Sequence, residues 1–398
     1  MRAASHRTRI YEEPGRIDAA SWDALVAADP DSNPFLQHAY LDALHSSGAA
    51  IARTGWQPQY VTLWRGEDLV AAVPLYAKAH SYGEYVFDWS WAQAQERLGV
   101  PYYPKWLVAV PFTPVNGTRL IAVDADARRA AATALLDVAR SQDLSSLHVL
   151  FAPPAQIELL AGEGLLVRTG LQFHWCNEDY GSFEDYLAAL TQPRRKNVRA
   201  ERRKVRDAGV VLERRSGADI REQDWNFFVS CYENTYAEHG SPPYLNLDFF
   251  LALGRNMPGN LMLVLALRDG RPVASALAVI DRDRSVLYGR YWGAVVHVPC
   301  LHFECCYYQM IEFAIEQRLR VLEGGAQGVH KLSRGLDPVP TQSAHWLREP
   351  QMRAAVARFV NSERRAVIAT IDELNEHRAL RSPLAACDNA GATQGPQT

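Results

Sequence analysis

The most regular alternation of apolar and polar positions lies near the centre of the chain. Residues 261–267 are apolar, Asp269-Gly270 forms a two-residue hairpin turn, and 272–280 returns as a second strand. A polar turn at 281–284 leads to a third strand at 285–292. From about 303 to 320 the period lengthens: Phe303, Tyr307, Met310, Ile311, Ala314, Ile315 and Leu319 share one helical face. Residues 319–322 then read as a short strand closed by Glu323, ahead of Gly324-Gly325-Ala326-Gln327-Gly328. Three antiparallel strands, a helix and a further strand define an α+β layer.

The first half repeats this order. Residues 60–64 and 69–76 pair as strands around the turn Arg65-Gly66-Glu67-Asp68, 127–140 form a helix, and 146–151 a strand. The turn glycines Gly66 and Gly270 lie 204 residues apart, close to half the chain, so the pattern reads as a tandem duplication of one unit. The expected organisation is a first unit, 1–170, with an aromatic-rich insertion at 78–117, and a second unit, 171–381. Between 351 and 380 the pattern is that of a long charged amphipathic helix. The tail, 382–398, is rich in Ala, Gly, Pro and Gln, lacks an apolar face, and is expected to be disordered.

Composition narrows the class. With 398 residues, 48% hydrophobic and 22% charged, the chain is neither a disordered polymer nor a small disulfide scaffold, and it is long enough for two cores. A net charge of −3 gives no overall basic field. The longest strongly apolar run, 261–267, is far short of the ~20 residues that span a bilayer, and the start carries no secretion signal, so a cytoplasmic protein is expected. The six cysteines include no C-x-x-C pair and no zinc spacing, and reduced core thiols are expected with no metal site.

Three places carry candidate chemistry. The segment Arg194–Asp207 holds eight basic and two acidic residues. Val198 and Val205, seven apart, give it a thin buried seam; Arg195, Arg199, Arg202 and Arg206 share another face and repel one another unless an anion lies over them. Arginine engages phosphate bidentately, so Arg194, Arg195, Lys196, Arg199, Arg202 and Arg203 are candidates for holding a polyphosphate or an RNA backbone. Around the end of the 319–322 strand, Glu323, His330 and Lys331 are catalytic candidates. The glycines between them allow close backbone approach, and exposed N–H groups there can hold an oxyanion. A dense aromatic stretch, 80–91 with 102–105, adds His80, Tyr82, Glu84 and Trp89 as pocket candidates. Asp88, a carboxylate among rings, is expected to have a raised pKa unless paired, and is a fourth catalytic candidate. Tyr288, Arg290, Tyr291, Trp292 and Gln327 are expected to face the same cavity from the second unit.

These residues resemble the Fem-like predicted N-acyltransferases, built from tandem GNAT folds. The matching stretches are Asn33-Pro34-Phe35-Leu36, 80–91, Pro111-Phe112-Thr113-Pro114, Arg195-Lys196-Asn197, 288–293, Leu301-His302-Phe303-Glu304, Ala326-Gln327-Gly328 with His330-Lys331, and Ser343-Ala344-His345-Trp346. One departure is Val329, where the family typically carries a glutamate directly before the His-Lys pair.

The resemblance implies two tandem GNAT-like units, antiparallel-dominated mixed sheets flanked by helices, with a cleft between them. It implies an amide-forming transfer of an aminoacyl group from aminoacyl-tRNA to the amine of a small-molecule or cell-wall-type acceptor, without a bound cofactor. Ordinary GNAT enzymes instead use acyl-CoA and hold its pyrophosphate with a Q/R-x-x-G-x-G/A loop. The corresponding stretch, Gly293-Ala294-Val295-Val296-His297-Val298-Pro299-Cys300-Leu301-His302, lacks that pattern. With the basic helix, this favours tRNA as donor, the alternative being acyl-CoA or an acyl carrier acylating a lipid, sugar or metabolite amine. A non-catalytic module that recognises cell-wall peptides is a third reading.

Overall fold

The computed structural model describes residues 6–325 and 328–381. The described residues divide into two compact units, one made of residues up to 170 together with 340–369, the other of 171–339 together with 370–381. The expected tail, 382–398, and the predicted site residue Gln327 lie outside the described residues.

In the first unit the strands are β1 (Arg7–Tyr11), β2 (Trp56–Pro58), β3 (Tyr60–Arg65), β4 (Asp68–Val73), β5 (Leu75–Lys78), β6 (Lys105–Val108), β7 (Ile121–Ala122) and β8 (Ser146–Val149). One antiparallel sheet has the order β1-β3-β4-β7. The strand expected at 69–76 is two strands in two sheets: Pro74, which has no N–H to donate to a ladder, separates β4 from β5. The 78–117 segment is only partly an insertion. Its 79–104 stretch carries the helix Trp89–Arg97, whereas β6 belongs to the repeating pattern, pairing antiparallel with β5 and parallel with β8. Helix Ala125–Ser141, capped by Asp124, packs on β3, β4 and β7, with Ala131, Leu135 and Ala139 in one core with Val61, Leu63 and Val70.

The second unit contains β9 (Leu166–Cys176) from residue 171 on, then β10 (Val210–Ser216), β11 (Leu261–Arg268), β12 (Arg271–Asp281), β13 (Val286–Ala294) and β14 (Val321–Glu323). These follow the order β10-β11-β12-β13-β14-β9. The β11–β12 turn has φ 53° at Asp269 and 72° at Gly270, the positive pair that a two-residue hairpin requires. The expected helix at 303–320 runs from Leu301 to Glu316, with a π turn at Glu304–Tyr308. Val198 and Val205 of helix Gln192–Asp207 are both buried in the core with Met310, Ile311 and Leu322.

The last strand, β15 (Asp337–Leu347), pairs antiparallel with β8 of the first unit, through Ala344–Leu347. In the second unit, the matching place beside β14 is taken by His174–Cys176 of β9. Each unit therefore holds the same motif, an antiparallel pair (β5–β6 or β12–β13) followed by a parallel one (β6–β8 or β13–β14). Cys231, Cys300, Cys305 and Cys306 are free, as expected, but Cys176 is disulfide-bonded. Sequence spacing did not reveal it because pairing depends on proximity in space.

Candidate active site

The parallel β13–β14 pair lasts only from Val286–Val321 to Tyr288–Glu323. Beyond it β14 stops, while β13 continues to Ala294 against β12 alone, so the sheet opens at Glu323. The β12–β13 register skips Arg290, a bulge that re-aims its side chain. Its Nη2 lies 3.5 Å from Glu323 Oε2, with both side chains almost fully buried. On the other side His174 Nε2 stands 4.0 Å from Glu323 Oε1; burial pushes this imidazole down to about 3, with Arg290 and Lys331 adding to the effect, so it is neutral.

The loop after β14 returns over this strand end. Lys331 Nζ donates to the Gly325 carbonyl at 3.1 Å. Burial lowers its ammonium to about 8, with Cys306 opposing and Arg290 adding to the shift. His330 Nε2 bonds the Tyr307 hydroxyl at 3.0 Å, and burial, Arg334 and Lys331 hold its pKa below the usual imidazole range. His302 lies 6.1 Å from His330 and 5.5 Å from Trp292, ring to ring, and burial with His330 brings it to about 4. The pocket candidates of β13 separate here. Tyr288 and Arg290 flank Glu323, Trp292 joins His302, and Tyr291 packs away from them on Tyr232 at 5.4 Å.

Helix Gln192–Asp207 adjoins the same loop: Arg194 Nη1 donates to Ser333 Oγ at 3.0 Å and Glu201 binds Arg334 at 2.7 Å. Its arginine stripe is not free for a ligand throughout. Arg202 is turned inward to Glu304 and Glu312 at 3.1 and 3.0 Å and packs on the Phe183 ring. Arg199 pairs with Glu184 at 2.6 Å on the surface, an ion pair of little energy that a phosphate can displace. The carboxylates supply, for Arg202, the counter-charge that the sequence pattern assigned to a ligand. Arg195 and the exposed Lys196 and Arg203 have no carboxylate partner among the described residues.

In the first unit Lys105, at the start of β6, is completely buried and donates to Ser81 and Glu84 at 2.8 Å and to Asp88 at 2.5 Å. Burial pushes Asp88 up, but Lys105, His148 and hydrogen bonds from Lys105 and Ser81 carry it below the usual carboxylate range. This corrects the expected raised value: Asp88 is paired, and is an ionised anchor. Glu84 behaves in the opposite way. Burial takes it to about 7, with Lys105 lowering it and Asp88 raising it. Lys78, over the Trp56 face at 3.8 Å, falls to about 7 through burial. His80 bonds the Thr54 carbonyl, and its ring meets Tyr82, which meets Trp89, at 5.4 and 4.9 Å.

Several of these groups escaped the sequence pattern. Tyr102 donates to Asp88 at 2.7 Å and touches His148 Nε2 at 3.1 Å, and His148 Nδ1 meets His345 Nδ1 at 2.7 Å. One ring donates and the other accepts, and burial keeps both neutral. Their signal was present in the alternation: Ser146 and His148 on β8, and Ser343 and His345 on β15, are polar at every second position among apolar neighbours. Among the described residues no group of His, Cys, Asp and Glu forms a metal site. A hollow of about 610 Å³ beside β10, lined by Glu213, Arg214, Arg215, Ala218, Asp219 and Arg221, includes none of the predicted site residues.

Comparison with known proteins matches residues 14–382 to a family described as peptidoglycan biosynthesis/recognition. The chain belongs to the FemAB-like family. Among solved structures it is similar to FemX, at 11% identity and a TM-score of 0.53 over 88% of this chain and all of that one. It is also similar to L-PGS from Bacillus licheniformis, at 11% identity and 0.54 over 88% and 99%. A tandem GNAT protein from the clavulanic acid biosynthesis pathway aligns at 12% identity and 0.47 over 87% and 99%. No curated protein sequence matches. The FemAB-like chain thus shares its fold of two α+β units with FemX and L-PGS. No helix among the described residues is long and apolar enough to cross a membrane.

Proposed function

We propose that this FemAB-like protein moves an aminoacyl group from aminoacyl-tRNA to the amine of a small-molecule or cell-wall-type acceptor. The observation that carries the reading is the shared loop: residues 328–334 touch the basic helix through Ser333 and Arg334 and the Glu323 strand end through Lys331. A polyanion along Arg195, Lys196 and Arg203 is thereby brought to the element that holds a carboxylate, an imidazole and an ammonium.

The acceptor nitrogen attacks the ester carbonyl at the open end of β14. Glu323 takes the proton that the amine loses, and His330 is assigned to assist it. The Lys331 ammonium faces the tetrahedral oxyanion. Collapse breaks the ester C–O bond, and the proton returns to the departing ribose hydroxyl. An activated ester needs no further cofactor. His80, Tyr82, Glu84 and Trp89 are assigned to acceptor recognition in the first unit, and binding of acceptor amines to E84Q and W89A tests that part separately.

Gly293 supports this donor over acyl-CoA. A Cβ there would come within 1.9 Å of the Cys231 carbonyl oxygen, so the glycine serves close packing of β13 on helix Glu222–Glu238. The test is donor consumption with charged tRNA and an acyl-CoA panel, each with mixed amines. Release of deacylated tRNA with a new amide supports the proposal, and release of CoA moves the donor to acyl-CoA. If E323Q and H330A retain ligand binding and the wild type consumes neither donor, a recognition module replaces the enzyme.

A further inference from the structure

We propose that Arg334 is a positioning residue that ties the donor-binding helix to the loop bearing His330 and Lys331. The inference rests on the transfer reading for its purpose, but its geometry stands alone. The Arg334 side chain is only 6% exposed, and its planar group joins three pieces of chain. Nε donates to the Tyr308 hydroxyl at 3.0 Å, and Nη1 to the His330 carbonyl at 2.7 Å. Nη2 reaches both carboxylate oxygens of Glu201 at 2.8 and 2.7 Å, and the guanidinium lies 3.6 Å from the Phe303 ring centroid. Tyr308 also donates to Glu201, closing the network.

The helix side of this link is equally defined. Arg194 and Glu201 are seven residues apart, two turns on one face, with buried Val198 between them. Arg194 holds Ser333 while Glu201 holds Arg334, so successive loop residues are fixed to helix positions two turns apart. The outward residues Lys196 and Arg203 remain for the donor. A shift of the helix is passed through one rigid fork to the His330 main chain, and the next residue, Lys331, sits over the strand end. Packing alone has no need of this arrangement, since a buried ion pair is seldom more stabilising than apolar residues of the same volume. What the fork adds is a fixed direction, because its five donors are rigid in one plane.

The experiment follows amide hydrogen exchange and turnover in wild type, R334K and E201Q, with bulk deacylated tRNA as the probe. In the wild type, tRNA should slow exchange across 328–334 by about threefold or more. In both variants tRNA should bind within about twofold of wild type, yet leave loop exchange unchanged. Their kcat should fall about tenfold or more while the donor KM stays within about threefold, the mark of lost alignment. A variant that keeps both the loop response and kcat overturns the proposal. Should R334K fail to fold, E201Q, at a partly exposed helix position, carries the test. If tRNA does not bind the wild type, the transfer reading fails, and unliganded exchange still decides the link: E201Q must open 328–334 faster than wild type, with 222–238 unchanged. Equal loop exchange sinks it.

Discussion

Glu84 and Asp88 share one ammonium, Lys105, yet move in opposite directions, and this difference has a pH signature. Glu84 rises from an ordinary 4.5 to about 7, so the stability it contributes is complete below 4.5 and is lost as pH rises through 7. Asp88, lowered from 3.8, contributes above its ordinary value and loses that contribution in stronger acid. Lys78, lowered to about 7, acts between 7 and its ordinary 10.5, where stability grows with pH. From pH 5 to 7 Glu84 should therefore remove stability, on the order of 3 kcal/mol, while His148, His174 and His302, held neutral by burial, add stability up to their ordinary 6.5. Thermal melts should show E84Q gaining on the wild type over that interval, since the histidine contribution is common to both; parallel curves would refute the assignment. Lys331 gives a kinetic counterpart. If its ammonium meets the oxyanion, turnover should fall as pH passes about 8, and K331R, which stays charged, should move that limb above pH 9. An unmoved limb assigns the fall to another group.

At the scale of elements, the basic helix divides into inward and outward cations. Alanine at Lys196 or Arg203 should weaken tRNA binding and flatten its salt dependence by about one unit of slope for each phosphate no longer neutralised. R202Q should leave the slope unchanged and instead destabilise the fold, on the order of 2 kcal/mol, because buried Glu304 loses its partner. Binding titrations across a salt series, with melts alongside, separate the two. The seam of Val198 and Val205 was legible because helical periodicity is local. The inward turn of Arg202 was not, since Glu304 and Glu312 lie 102 and 110 residues away. Likewise the β11–β12 hairpin was readable from Asp269-Gly270, and Pro74 held the sign that one expected strand was two. The π turn at Glu304–Tyr308 left no trace in the apolar pattern, which continues across it.

Across the molecule, the duplication was legible and the divergence between copies partly so. At the end of its parallel pair the second unit has Glu323 opposite Tyr288; the first has Val149 opposite Val108. Under the proposed transfer, that contrast assigns the chemistry to the second copy. V149A should cost about 2 kcal/mol through an unfilled core and leave kcat intact. E323Q should lower kcat by about a hundredfold or more, and weakening its buried pair with Arg290 should lower the melting temperature as well. The reverse pattern would move the reaction to the first unit. The sequence concealed which strand completes which sheet, because the partners of β8 and β14 are chosen by the path of the chain and not by any local pattern.

That path sets an order of events at the ribosome. The strand that pairs with β8 begins at Asp337, and Met352, Val356 and Val360, which cluster with its Leu347, come later still. For the roughly ten to thirty seconds that translation takes to go from residue 170 to 360, the nascent amino-terminal portion carries an unpaired β8 margin. A chain arrested before residue 337 should thus emerge with that margin bare, prone to recruit chaperones or to pair with its neighbours on the same message.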